Sequence, residues 1–262
     1  MLDFVLNFLF PPVCGICGKL DRNWICKKCK KRIKKYEKFK LLQTKEEINK
    51  LFNFKNTGIN ILKNLSNIEQ HVNIYFDEFL YCFEYKSLIR NLILRYKFSD
   101  CGYLSNLFAN VMLNNKKINE IFESYDIMIS VPMDKIKKQT RGYNQTELII
   151  NCIEKILNTN RKYSFKNKEF NNFYKDLNPK ITFDNNCLIK LKNTKTQSTL
   201  NADERIENIR NAFLVKNKEN IKNKNIVLFD DIATTGSTIN EISKVLKEAG
   251  VRKILVLVIA KD

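Results

Sequence analysis

The apolar positions of this chain fall into two kinds of run. Three are unbroken and of strand length: "YDIMISVP" at 125–132, "NIVLF" at 225–229 and "KILVLVIA" at 253–260. Short continuous runs rich in β-branched residues predict strands buried on both faces. The other runs recur at helical spacing. "FLYCFEYKSLIRNLILRYKF", 79–98, predicts a short strand and then a helix with Leu88, Ile89, Leu92 and Ile93 on one face. Further helices are expected at about 103–114, 145–157 and 238–249. Strands alternating with helices imply an α/β fold built on a parallel sheet covered on both faces.

The stretches between these runs are less patterned. Residues 33–78 carry Ile48, Leu51 and Phe52 at helical spacing and read as a connecting segment. Lys135, Lys137, Lys138 and Arg141 after Pro132 read as a basic loop. Residues 158–187 are polar and read as a surface insertion, and 188–213 as a polar segment followed by a helix. The opening "MLDFVLNFLFPPVC" is apolar but has no basic leader and no small-residue cleavage site, so it predicts a docking strand or helix, not a signal peptide.

Composition adjusts this picture in three ways. With 262 residues and 44% hydrophobic content, there is material for one sizeable core and a small appendage. No run approaches the ~18 consecutive apolar residues of a membrane span, so a cytoplasmic protein is expected. The formal charge of +18 points toward nucleic acid, a signal tempered by the Lys- and Asn-rich bias of the whole chain.

Eight cysteines without an export signal argue against a disulfide framework. Four of them stand in "CGICGKLDRNWICKKC" as Cys14, Cys17, Cys26 and Cys29, a C-x2-C-x8-C-x2-C pattern. Each pair can form a tight knuckle, and two knuckles offer four thiolates to a tetrahedral zinc ion. Four reduced thiols in an apolar corner would not suit the surrounding lysines. Cys82, Cys101, Cys152 and Cys187 share no ligand spacing and read as core filler. Three parts are therefore expected: a zinc unit over 1–32, a connecting segment over 33–78 and an α/β domain over 79–262.

The chemistry concentrates in "NKNIVLFDDIATTGSTINEISKVLKEAG", 223–250. Asp230 and Asp231 follow a buried strand, where open α/β sheets bind ligands. Thr234, Thr235, Gly236, Ser237 and Thr238 then turn the chain into a helix, so backbone N–H groups, hydroxyls and the positive helix end converge as a phosphate cradle. Carboxylates beside such a cradle can accept hydrogen bonds from a diol. A sugar phosphate meets both demands.

"FDDIATTGST" resembles the ribose-phosphate signature of type I phosphoribosyltransferases. "VPMDKIKKQTRGYNQTELI" and "LIKLKNTKTQSTLNADERIENIRNAF" resemble internal signatures of the ComF family of phosphoribosyltransferase-like competence proteins, whose members also begin with a four-cysteine zinc unit. "YKSLIRNLILRYKF" is similar to a characteristic helix of that family. The resemblance runs nearly end to end and is weakest over 33–78 and 158–187. Lys190 and Lys192 stand where the family usually shows arginines, which keeps the charge but loses a bidentate grip.

The resemblance implies a type I phosphoribosyltransferase fold with a small zinc-ribbon-like N-terminal domain, and 5-phosphoribosyl-1-pyrophosphate (PRPP) bound with Mg2+. Asp230 and Asp231 are then expected to hold the ribose hydroxyls. The backbone from Ala233 to Ser237, with Gly236 and the Thr234, Thr235 and Thr238 side chains, would take the 5-phosphate. Arg141 and Gly142, with Lys137 or Lys138, would face the pyrophosphate, and Asp230, Asp231 and Arg141 carry the transfer. Residues 190–210, with Lys192, Thr194, Gln197 and Arg205, would form a closing flap.

Three functional classes follow. The first is a PRPP-binding protein of DNA uptake, contacting single-stranded DNA through Lys27, Lys28, Lys30, Lys31, Arg32 and Trp24 of the zinc unit and working beside DNA-uptake or recombination proteins. The second is a metabolic transferase acting on a nucleobase or ammonia. No cysteine follows Met1 and no glutaminase domain precedes the transferase, so ammonia production in cis is not expected. The third is a non-catalytic adaptor that senses PRPP. The single histidine, His71, reads as a surface residue, not a catalytic one.

Overall fold

A computed structural model describes residues 13–21, 25–54, 73–99, 101–162 (side chains to 158), 179–191 and 211–262. The predicted docking element before residue 13, Trp24, His71, Lys192, Thr194, Gln197, Arg205, most of the 158–187 stretch and the helix expected before 213 lie outside the described residues. The element order is α1 (Lys27–Lys34), β1 (Glu37–Leu42), α2 (Lys45–Phe52), β2 (Glu78–Glu84), α3 (Ser87–Phe98), α4 (Leu104–Leu113), α5 (Lys116–Ser124), β3 (Ile127–Ser130), α6 (Lys135–Arg141), α7 (Gln145–Lys162), β4 (Thr182–Asp184), β5 (Leu188–Lys190), β6 (Phe213–Val215), β7 (Asn225–Ala233), α8 (Ser237–Glu248) and β8 (Lys253–Lys261).

One six-stranded sheet runs in the order β1-β2-β8-β7-β3-β4. Every pairing in it is parallel except that of β1 with β2. The unbroken apolar runs become its centre because both faces are covered. Val227 and Phe229 of β7 and Leu255, Leu257 and Ile259 of β8 face one core, packed by α3, α4, α5 and α7. Ile226, Leu228, Ile254, Val256 and Val258 face the other, where α2 and α8 pack. This is the α/β fold with a mainly parallel sheet covered on both faces that the sequence predicts.

Four local expectations are corrected. The basic stretch after Pro132 is not a loop but the helix α6, capped by the Asp134 carboxylate, which accepts from the Ile136 N–H at 2.9 Å. It buries no side chain, so it carries no apolar stripe for periodicity to detect. The connecting segment contributes β1 to the sheet edge as well as the expected helix α2. The supposed insertion is not wholly outside the fold, since α7 extends to Lys162 and β4 pairs with β3. The strand "NIVLF" runs on to Ala233, taking Asp230 and Asp231 into its last four residues, with Asp230 opposite Val258 and Ala233 opposite Lys261.

The cysteine unit is seated on the same core. Ile16, Ile25 and Ile33 pack with the α3 side of the sheet, and the Arg95 guanidinium donates to the Gly15 carbonyl at 3.3 Å. No helix among the described residues is long and apolar enough to cross a membrane.

Candidate functional site

Two neighbouring parallel strands, β3 and β7, send their following connections in opposite directions: β3 leads through α6 and α7 to β4, and β7 through α8 to β8. The crevice beyond their carboxyl ends is a topological switch point, the place where open α/β sheets bind ligands. Asp230 and Asp231 open into it from β7. Residues of β3 and its sequel line the other side. Asn144 and Thr146, at the start of α7, both donate to the Val131 carbonyl, at 3.3 and 3.1 Å, and so fix α7 against the end of β3.

Strand alternation sends the two aspartates to opposite sides of the sheet. Asp231 points toward the α3 face and is held by the Lys97 ammonium at 2.9 Å, a pair that is largely buried. Asp230 is half-buried, and its carboxylate accepts the Asp231 N–H at 2.8 Å. Burial, then the adjacent Asp231 charge, push Asp230 up to about 7, against the pull of Lys97 and of that N–H. Asp231 is thus the carboxylate in contact with a cation, and Asp230 the one raised by burial.

Beyond Ala233, whose carbonyl accepts the Asp262 N–H at 3.0 Å, the chain turns into α8. Gly236 is the residue before the helix, with φ +77°, and a Cβ there would lie 2.8 Å from Phe52 Cδ1 and 2.9 Å from Phe54 Cζ. The phenyl floor supplied by Phe52 at the end of α2 and by Phe54 just beyond it therefore forces glycine in the turn. The Thr235 and Ser237 hydroxyls lie 3.0 Å apart, and α8 begins without a side-chain cap. Its first-turn N–H groups and these hydroxyls form a small donor-rich concavity suited to an anion.

On the opposite wall, α6 ends at Gly142, with φ +81°. Lys135, Lys138, Gln139 and Gly142 line an open recess of about 400 Å³. The Lys138 ammonium is engaged by Glu147 at 2.7 Å. Arg141 is half-buried with its guanidinium carbon 5.0 Å from the centre of the Phe98 ring. Burial lowers Arg141, and the Asp231 carboxylate opposes that. Lys190 of β5 is lowered by burial and then by the Lys137 ammonium.

Thus Asp230, Asp231, Arg141, Gly142 and the 233–238 turn are gathered around one crevice, while Lys192 lies outside the described residues. Lys97 and Phe98 were assigned no site role from sequence, although both stand in a quoted motif. Helical spacing shows which α3 residues are buried, but not that Lys97 meets a carboxylate 134 residues away.

The four sulfurs of Cys14, Cys17, Cys26 and Cys29 all lie within 4.8 Å of one another. Zn–S bonds of ~2.3 Å in a tetrahedron place sulfurs ~3.8 Å apart, and Cys17 Sγ to Cys26 Sγ is 3.8 Å. The set therefore fits a tetrahedral thiolate-bound ion such as zinc. The first knuckle is closed by Cys14 N–H to the Lys19 carbonyl at 2.8 Å, with Gly18 at φ +72°. In the second, Cys26 caps α1, its sulfur accepting the Cys29 N–H at 3.4 Å. Burial would raise the Cys14 thiol, but backbone groups at Cys26, Cys17 and Ile16 bring it down to about 7. Lys27, Lys28, Lys30, Lys31 and Arg32 of α1 are all exposed.

The phosphoribosyl transferase domain model matches residues 188–262. Competence protein F of Haemophilus influenzae is 30% identical over 174 residues, 65% of this chain and 66% of that protein. Competence protein ComFC of Streptococcus pneumoniae is 25% identical over 66% of this chain and 63% of its own length. The DNA utilization protein YhgH of Escherichia coli K12 is 25% identical over 64% of each chain. The matched stretch thus spans less than two thirds of each relative. Among solved structures, a hypoxanthine phosphoribosyltransferase from Staphylococcus aureus aligns over 60% of this chain and 65% of its own, with 10% identity and a TM-score of 0.30, a loose superposition.

Proposed function

The chain belongs to the ComF family of competence proteins and carries a phosphoribosyl transferase domain; from that premise we propose that it is a PRPP-binding, phosphoribosyltransferase-like protein of DNA uptake. The carrying observation is the convergence, at the switch point between β3 and β7, of two carboxylates with a donor-rich turn at the start of α8.

In this reading Asp230 and Asp231 accept hydrogen bonds from the ribose hydroxyls, while the Thr234–Thr238 turn holds the 5-phosphate. Asp230 is half-protonated near pH 7, so taking up a diol as two acceptors releases a proton below that pH. Lys97 holds the Asp231 carboxylate in place through their ion pair at 2.9 Å, which makes it a positioning residue. Arg141 and the Gly142 backbone face the pyrophosphate. Mg2+, when bound, supplies charge neutralisation for that leaving group.

Transfer would break the bond from the ribose C1 to the pyrophosphate oxygen, with the electron pair leaving on pyrophosphate. An acceptor lone pair forms the new bond to C1, and the acceptor then gives up its proton. The protein's share is orientation and charge stabilisation.

The four-cysteine unit over 1–32 is read as a structural zinc site that presents α1. Its exposed row of Lys27, Lys28, Lys30, Lys31 and Arg32 supports contact with the phosphates of single-stranded DNA. The names of the competence and DNA utilization relatives support the same setting. A pyrophosphate-release screen with PRPP and Mg2+, offering nucleobases, ammonia and single-stranded DNA in turn, tests the reading. Release with DNA or a base identifies a transferase and its acceptor, release with ammonia alone favours a metabolic role, and binding without release identifies a PRPP sensor.

A further inference from the structure

Phe98 ends α3 with 71% of its surface exposed. Its surroundings are otherwise tightly built. Tyr96 is fully buried, its hydroxyl donating to the Gln145 carbonyl at 2.8 Å, and the Tyr143 hydroxyl donates to the Tyr96 carbonyl at 2.6 Å. These two bonds lock the end of α3 to the segment that joins α6 and α7. Lys97 is spent on Asp231. The next side chain along, a large phenyl ring, is thereby presented to solvent at the rim of the crevice, with Arg141 over it at 5.0 Å.

Other bulky apolar side chains of α3, such as Ile89, Leu92 and Ile93, are buried. An aromatic ring backed by a guanidinium makes a flat, polarised surface on which a planar heteroaromatic ring stacks in either orientation. Lys97, the residue before Phe98, ties that surface to Asp231 at 2.9 Å, on the sugar side of the crevice. The helix that carries Arg141, α6, also lines a recess with Lys135 and Lys138, which suits the phosphates of a nucleotide bearing such a ring.

We propose that Phe98, backed by Arg141, is the stacking platform for the acceptor's planar base, held at the rim where the sugar's C1 is approached. The inference rests on the assignment of Asp230 and Asp231 to the ribose. The base reaches the platform either free in solution or as one residue of a single strand. The basic row of α1 plays no part in the argument, so the platform is a contact separate from the zinc unit.

The test uses the full chain and three probes: a fluorescent single-stranded oligonucleotide of about 20 nucleotides, an abasic oligomer of the same length and charge, and free adenine in the presence of PRPP and Mg2+. Phe98→Ala, Phe98→Leu and Phe98→Trp are compared with the unmodified chain by anisotropy and equilibrium dialysis, with melting points measured alongside. If the base arrives in a strand, Ala and Leu weaken the oligonucleotide by about 5- to 150-fold, the range of one base stack. They leave the abasic oligomer unchanged, and Trp restores affinity. If it arrives free, adenine retention falls in the same pattern while the oligonucleotide does not change. The proposal is overturned if Ala and Leu bind both probes like the unmodified chain, if the abasic oligomer weakens equally, or if the unmodified chain binds neither base-containing probe. Titration of the unmodified chain with PRPP and Mg2+ decides the ribose assignment separately.

Discussion

Replacing Asp230 with Asn should make the ligand-free protein more stable, and only above a definite pH. The carboxyl moves from an ordinary 3.8 to about 7 because burial and the neighbouring Asp231 disfavour its charge. Between those values the native state holds a proton that the unfolded chain has lost, so stability falls as pH rises through the window and the full penalty applies above pH 7. A displacement of this size corresponds to about 4 kcal/mol. Asp230 is still partly exposed, and solvent screening leaves about 1 to 3 kcal/mol of it. Asn keeps an oxygen to accept the Asp231 N–H, now made at 2.8 Å, and carries no charge. At pH 8 the variant should therefore melt about 2 to 5 °C higher. Towards pH 4 the two melting curves should converge. Scanning calorimetry from pH 4 to 8 without ligand measures both. An Asn variant no more stable than the parent at pH 8, or a difference that does not depend on pH, would refute the reasoning and mean that the carboxylate is solvated or already paired.

Two further outcomes follow from the geometry. Gly236→Ala places a methyl 2.8 Å from Phe52 Cδ1 in a left-handed turn, and Phe52 and Phe54 are stacked at 5.3 Å with little room to yield; thermal unfolding should show a loss of about 2 to 5 kcal/mol, and an unchanged melting point would mean that the turn is looser than described. The unmodified chain should carry one zinc ion in metal analysis, and Cys26→Ser should lose both the ion and the hydrogen-exchange protection of residues 13–34, since four thiolates close the site and Cys26 also caps α1; zinc-free protein with unchanged protection there would sink the metal assignment.

The central strands were legible because burial on both faces leaves apolar runs with no alternation to decode, as in β8, where only Lys253 and Lys261 at its ends are less than buried. The acidic pair and the turn after it were legible because their chemistry is contiguous in sequence. β1 was not. Its pairing slips between Glu37 and Lys40, and Phe39 sits at φ 42°, so the bulge breaks the period-2 signal. α6 was hidden because a helix that buries nothing leaves no stripe. β4 has three residues and no fully buried one, too few for any period. α5 did carry a signal, Ile118, Ile121 and Phe122 at helical spacing, though over only nine residues. Lys97 and Phe98 needed the folded chain, since their meaning comes from Asp231 and Arg141, which other elements bring to the end of α3.

The account rests most directly on the claim that the β7 carboxylates face the sugar of PRPP. Isothermal titration of PRPP with Mg2+ into the unmodified chain and into Asp230→Asn/Asp231→Asn tests it. Each charge-assisted hydrogen bond to a hydroxyl contributes about 1.5 to 3 kcal/mol, so the double variant should bind at least about tenfold more weakly while remaining folded. Equal affinity in the two proteins, or no measurable binding by the unmodified chain, would contradict it.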